Sequence, residues 1–556
     1  MAACSSPSPP TIPRRSTSGR SRFTPTSRAP GPTRSPPPTS ATPSRPSPSR
    51  RTSRPTPSSS PTPVERSLSL AVPGRATTTS FALSQETYPN DPYASATAEV
   101  MPTFYAYAAS GSVSAEAVYA NYGREEDFAY LASRGVDVAG KVAVARYGRI
   151  HCEDIVHNAR VAGAAAAVVY TDPLQYGGAP GEAWFPRLPV AAADRRAVVM
   201  ASWVATCNQR ANGFLWSLQG NDTMATIENV FAVIEGAEEP DRYVILGNHR
   251  DAWTFGASDP NSGTAAMIEL AQRLSVLQKQ GWRPRRTIIF CSWDAEEYGL
   301  TGSTEWVEEN REMLSSRAVA YLNVDVSVVG PVFHPSATPQ LDELFQETMK
   351  LVQDPDNSSQ AVYDSWVKSN ISPLRHFRIT AASIWGMMAL RLADEEILPF
   401  NYMSYPVELE AYTKVVENEV RGTAISCSPL HNAIRALKTA ATKVNGERKE
   451  LQRQLSSNQL KKDSMKIRSL NDRLMQAERA FTNREGLFKR EWFKHLVYGP
   501  SEQNDWESAS YPGVENAIAS ARKENTTESW KFVQHEIHRV ARAITQASVV
   551  LAGSLT

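Results

Sequence analysis

One histidine and a set of carboxylates stand where short apolar runs end. His249 and Asp251 follow Tyr243–Leu246, Asp259 opens a helical stretch, Glu296 and Glu297 follow Thr287–Cys291, and Asp325 follows Ala318–Val324. Carboxylates crowded together repel one another, and burial raises their pKa unless a cation neutralises them. Zinc accepts imidazole nitrogen and carboxylate oxygen, and an open coordination position can hold an activated water. Two zincs about 3.5–4 Å apart could share one bridging carboxylate. The adjacent Glu296 and Glu297 suit a division of labour, one ligating and one acting as general base. Each residue also has a plainer reading: Asp259 as a helix N-cap, His249 as a satisfied structural residue, Glu296-Glu297 as a solvated turn. Their order and shared placement at strand ends favour the chemistry, because open α/β sheets carry their sites at the carboxyl ends of strands.

The elements that must position these groups read as alternating strands and helices. Val230–Ile234 and Tyr243–Leu246 are β-branched runs. Pro260–Gln280 predicts a helix with Met267, Leu270, Ala271, Leu274 and Leu277 on one stripe, Asp259 its N-cap and Pro260 in the first turn. Thr287–Cys291 predicts a strand, Thr304–Leu314 a helix and Ala318–Val324 another strand. The pattern implies a largely parallel sheet covered on both faces. Upstream, Val142–Arg146, Val156–Ala164 and Ala165–Tyr170 read as strand, helix and strand. Beyond about Glu396 no strand is predicted; Lys438–Lys489 and Glu528–Leu551 are charged and helical in period.

Composition bounds the rest. A chain of 556 residues exceeds one core. Residues 1–64 hold ten Arg and no Lys, Asp or Glu, so the net charge of +1 leaves −9 for the remainder (+1 minus ten). A mildly acidic body with a basic tail does not suggest a nucleic-acid binder. Residues 1–66, rich in Ser, Pro and Arg, are expected to be disordered; an organellar transit peptide is the alternative, against which the Pro density argues. No apolar run reaches the roughly 18 residues of a membrane span. The five cysteines form no CxxC pair, and Cys291 reads as a small buried hydrophobe. Asn221, Asn357, Asn370 and Asn525 begin Asn-x-Ser/Thr patterns, too short to decide a compartment.

Longer motifs carry a specific resemblance. Tyr243 through Trp253 (YVILGNHRDAW), Ser258 through Thr264, Gly281 through Thr287, and Trp293-Asp294-Ala295-Glu296-Glu297 through Trp306 resemble the glutamate carboxypeptidase II family, most closely its plant members. The resemblance implies a zinc exopeptidase-type mixed α/β sheet between helices, an inserted protease-associated apical domain and a C-terminal helical bundle resembling the transferrin-receptor dimerisation domain. The boundaries it implies are a tail at 1–66, the apical region within 67–225, the peptidase domain at 226–400 and the helical domain at 401–556. It implies a homodimer, a peptide substrate and cleavage at the C-terminus, with glutamate one candidate leaving residue. By motif, His249 and Asp325 would hold one zinc, Asp259 would bridge, Glu297 would hold the second, and Glu296 would activate water. Glu305 and Glu308 match calcium-binding positions.

The departures from that family are as specific. The family's second zinc is completed by a His from a strand and loop between Asp325 and the helical domain. Here Trp366 is followed within twenty residues by Ile384-Trp385-Gly386, which resembles the segment beyond that loop. His376 and His334 are the substitutes to consider. Glutamate-selecting positions are unmatched, with Cys152 and Asp505 in place of basic residues. The alternative to an active peptidase is therefore a non-catalytic family member acting as an interaction scaffold, or a truncated product.

Overall fold

The computed structural model describes residues 51–52, 56–71, 78–81, 83, 109–150, 152–170, 200–203, 214–253, 256–327, 336–355, 357–368, 378–457, 464–500 and 508–554. In chain order the first elements are strands β1 (Arg51–Thr52), β2 (Thr56–Ala71), β3 (Thr78–Ser80), β4 (Gly111–Ala115) and β5 (Ala117–Tyr119). Helix α1 (Glu125–Ser133), β6 (Val142–Arg146), α2 (Cys152–Val161), β7 (Ala166–Tyr170), β8 (Met200–Trp203) and β9 (Phe214–Ile227) follow. Strands β2 to β9 form two four-stranded sheets, β3-β2-β9-β4 and β5-β6-β7-β8. Strand β2 begins inside the stretch expected to lack order. It pairs antiparallel with β9 along its length, so backbone pairing supplies an order that its composition does not.

The sheet that carries the chemistry-bearing residues comes next. Its strands are β10 (Val230–Ile234), β11 (Glu239–His249), β12 (Arg286–Trp293) and β13 (Ala318–Asn323), interleaved with α3 (Asn261–Lys279), α4 (Thr301–Glu309) and α5 (Arg311–Arg317). The order is β1-β10-β12-β11-β13. β11 runs parallel to β12 and β13, whereas β10 is antiparallel to β12; the sheet is mixed, as the resemblance implies. Both faces are covered. Val244, Leu246, Ile288 and Phe290 pack into the main core with Leu270 and Leu274 of α3, while Ile245, Ile289, Cys291 and Trp293 meet Trp306 and Leu314 on the opposite face. Fully burying such a side chain stabilises the fold by about 1.5–3 kcal/mol. The stripe expected on α3 is the buried one, and Cys291 is fully buried, its thiol pKa pushed up by burial.

Helices then dominate: α6 (Asp342–Leu351), α7 (Val362–Lys368), α8 (Arg378–Asp394), α9 (Ser404–Glu419), α10 (Ser428–Ser456) and α11 (Ser464–Ala477). A short antiparallel pair, β14 (Tyr498–Pro500) and β15 (Ser508–Ser510), corrects the expectation that strands end near Glu396; α12 (Pro512–Glu524) and α13 (Thr527–Ala552) close the chain. The core under the peptidase sheet runs without a break into these helices, from Val244 to Leu551. Two polar ties fix the seam. Buried Arg286 pairs with Glu239 at 2.7 Å and donates to the carbonyls of Leu392, Glu395 and Glu396 at the end of α8. The indole of Trp385 donates to the Leu322 carbonyl of β13 at 3.2 Å. No described helix is long and apolar enough to cross a membrane.

Candidate metal centre

Because β11, β12 and β13 are parallel, their carboxyl ends lie on one edge of the sheet. The register places His249 opposite Trp293 and Gly247 opposite Asn323. β11 extends three residues beyond its apolar run, since Gly247, Asn248 and His249 remain laddered to β12. His249 is 3% exposed. Its Nε2 lies 2.8 Å from Asp325 Oδ1 and 3.1 Å from Asp259 Oδ1, with Glu296 Oε2 at 3.8 Å. Ligand atoms of His249, Asp259 and Asp325 all fall within 4.8 Å of one another, the only such group among the described residues.

Asp259 is where sequence reasoning about local structure needs correction. It does not cap α3: the residue at the cap position is Pro260, which makes no side-chain cap, and Ser262 Oγ bonds the Ser258 carbonyl. The Asp259 carboxylate is turned toward His249 instead. Glu297 stands beside the group rather than in it, with its Oε1 accepting from the Trp253 N–H at 3.3 Å. Glu305 and Glu308 are exposed on α4 and are joined to no metal-ligating group among the described residues. His334, His376 and Asp505 lie outside the described residues, and so does the Cys152 side chain. The helix expected at Thr304–Leu314 is two helices, α4 and α5, meeting at Asn310.

Two residues at this strand end have positioning roles that the sequence reading does not assign. Asp251 accepts the backbone N–H groups of Glu296 at 3.0 Å and Glu297 at 3.1 Å, and its Oδ1 lies 3.5 Å from His249 Nδ1. Its own carbonyl is 2.9 Å from the same Nδ1. An imidazole donating from Nδ1 leaves Nε2 free to ligate, the arrangement common to metal-binding histidines. The available signal was its place two residues after His249 at the same strand end. Asn248, buried, donates to the carbonyls of Val324 at 3.0 Å and Asp325 at 3.2 Å, and accepts from Thr264 Oγ1. It thereby locks the start of α3 to the end of β13. Gly263 makes that approach possible, for a Cβ there would sit 2.1 Å from the carbonyl oxygens of Val324 and Asp325.

The electrostatics call for a cation. Burial opposes charge on His249, yet the carboxylates of Asp251, Asp259 and Asp325 push its pKa up to about 12. Burial, then the charges of Asp325, Asp251 and Asp259 against the pull of His249, lifts Glu296 to about 7. Burial, then Asp259 and Glu296, lifts Glu297 to about 8. Asp251 resists its burial because His249 and the two backbone donors hold its carboxyl below the ordinary value. Although 2.8 Å apart, the buried His249 Nε2 and Asp325 Oδ1 form no aligned hydrogen bond with each other or with any other partner. A divalent ion between them would satisfy both atoms and remove the repulsion. The donor set of one imidazole and two carboxylates fits zinc.

Comparisons with known proteins agree in three separate places. Residues 99–199 match the PA domain, 229–373 match peptidase family M28, and 425–552 match the transferrin receptor-like dimerisation domain. The chain is 45% identical to "Probable glutamate carboxypeptidase LAMP1" of Arabidopsis thaliana, over 88% of this chain and 86% of that one. It is 37% identical to "Probable glutamate carboxypeptidase AMP1" of the same plant (82% and 78%) and 29% identical to "Aminopeptidase NAALADL1" of Mus musculus (81% and 79%). Among solved structures, a zinc aminopeptidase from Bacillus subtilis aligns at 16% identity over 61% of this chain and 86% of its own, with a TM-score of 0.35, too slight a likeness to argue from. The alignment with the LAMP1 protein extends over 600 positions, more than the 556 residues present here, so parts of that relative have no counterpart in this chain. On motif, domain order and identity together, the chain belongs to the glutamate carboxypeptidase II-like family of metallopeptidases.

Proposed function

We propose that the protein is a zinc-dependent peptidase whose metal is held by His249, Asp259 and Asp325, with Glu296 as general base. One observation carries the reading: three ligand atoms from separate segments converge, two of them buried and without aligned hydrogen bonds. Bound zinc supplies a Lewis acid and lowers the pKa of water. The chain's residues do the rest. Glu296 takes a proton from the water whose oxygen bonds to the scissile carbonyl carbon. It then returns that proton to the amine nitrogen as the C–N bond breaks. Asp251 holds the Glu296 backbone and the His249 ring in place throughout. We read the reaction as removal of C-terminal residues from peptides, following the names of the plant relatives, and the chain as a homodimer formed through its 425–552 region.

Glu297 and a second zinc belong to the same reading. Glu297 feels the charge of Asp259, and among the described residues no second histidine joins them. Calcium at Glu305 and Glu308 has no further ligand to support it among the described residues. The test is peptide hydrolysis by zinc-loaded protein against Glu296→Gln: a loss of at least a hundredfold in kcat with zinc content unchanged is expected. Equal activity of the two proteins would remove Glu296 from the mechanism. Zinc binding with no hydrolysis of any peptide by the wild type would favour the scaffold reading.

A further inference from the structure

The inference rests on the peptidase reading and concerns which peptides that site takes. A cavity of about 860 Å³ opens on the metal-ligand group, with His249, Glu296 and Asp325 in its lining. Its other walls are largely apolar: Trp306, Val307 and Leu314 from α4 and α5, Tyr321 from β13, and Trp492 from the segment before β14. Val307, Tyr321 and Trp492 are 45%, 49% and 67% exposed. Large apolar side chains left open to water are therefore gathered beside the groups assigned to the chemistry. Such clusters mark binding surfaces when they line a concavity of ligand size.

Charge in the same cavity does not select an acidic side chain. Its Lys and Arg residues are Arg311 and Lys494, and Glu308 and Glu491 line it with them. Lys494 Nζ is already committed to the Arg484 carbonyl at 2.9 Å. A glutamate side chain placed here would exchange water for largely apolar walls and would meet the carboxylates of Glu308 and Glu491 as well as the two cations. A phenylalanine or leucine side chain would cover Val307, Leu314 and Tyr321 without desolvating a charge. The occupant is fixed by continuity, because whatever fills this cavity lies against Glu296 and the metal ligands.

We propose that the cavity is the specificity pocket, and that it takes a large apolar or aromatic residue flanking the scissile bond in preference to glutamate. The probes are acetylated tripeptides carrying Phe or Glu at either of the last two positions. Their binding to the full chain, metal-free and zinc-loaded, is read by isothermal titration, and hydrolysis is assayed separately. The better-placed Phe peptide is expected to bind at least tenfold more tightly than its Glu counterpart. Val307→Asp, at a half-exposed helix position, is expected to cut that advantage below threefold while zinc binding stays unchanged. Equal binding of Phe and Glu peptides, a preference for Glu, or a Phe advantage untouched by Val307→Asp would each overturn the assignment. A Phe preference in binding without hydrolysis of any peptide would uphold the pocket while refuting the peptidase reading.

Discussion

Replacing Asp251 with Asn tests whether the metal group depends on the carboxylate behind it. Asp251 is not itself an expected ligand, yet it accepts from Glu296 and Glu297 backbone N–H groups at 3.0 and 3.1 Å and lies 3.5 Å from His249 Nδ1. Asparagine keeps the shape but offers one oxygen where two are used, and it turns an N–H₂ toward a donor. A hydrogen bond to a charged group contributes about 1.5–3 kcal/mol, and its loss leaves a buried donor facing a donor. At about 1.4 kcal/mol per factor of ten, that is about 10–100-fold. Loss of a partner behind a metal ligand has the same scale, about 10–100-fold in metal affinity. Zinc affinity measured by competition with a chromophoric chelator should fall by that factor in Asp251→Asn, with the far-ultraviolet circular dichroism unchanged. If the variant holds zinc within twofold of the wild type, the orienting role assigned to Asp251 is wrong.

Other consequences are open to measurement. Gly263→Ala drives a Cβ to within 2.1 Å of the Val324 and Asp325 carbonyls; overpacking of this kind costs about 1–3 kcal/mol, and both the melting temperature and zinc affinity should drop. Arg286→Met strips Glu239 of its buried partner and removes the guanidinium donor from the Leu392, Glu395 and Glu396 carbonyls, of which the last keeps Asn471; breaking one side of a buried pair costs about 3–5 kcal/mol, which a denaturant titration would register. The raised pKa values of Glu296 and Glu297 mean that the folded metal-free chain binds their protons more tightly than the unfolded chain does. The stability this confers is full below the ordinary value of 4.5 and is lost as pH rises through about 7 and about 8. Glu297→Gln should accordingly raise the metal-free melting temperature relative to wild type by more at about pH 8.5 than at about pH 5. An equal difference at both values would show that no such strain exists.

What could be read from the sequence follows how local each determinant is. Val142–Arg146 and Val230–Ile234 are strands with the bounds their β-branched runs predict, and the apolar stripe of α3 is buried as its period requires. The strand ends were harder, because Asn248 and His249 are polar and a hydropathy pattern stops at Leu246 while the ladder to β12 continues. Asp259 illustrates the opposite error: an Asp before a Pro at a helix start predicts a cap, yet a buried imidazole 3.1 Å away attracts it more strongly. Asp251 was invisible as a positioning residue because its partners, the N–H groups of Glu296 and Glu297, are some 45 residues away and carry no side-chain signature. The cavity beside the site was equally hidden. Val307, Tyr321 and Trp492 come from separate elements, and only the folding of the β13 edge with the helices and loop around it brings them together.

Anomalous diffraction at the zinc edge from zinc-soaked crystals bears most directly on the metal reading. The account predicts a peak about 2.0–2.2 Å from His249 Nε2 and from carboxylate oxygens of Asp259 and Asp325. A map with no peak there, or with the ion held by other residues while His249 turns away from Asp325, would contradict it.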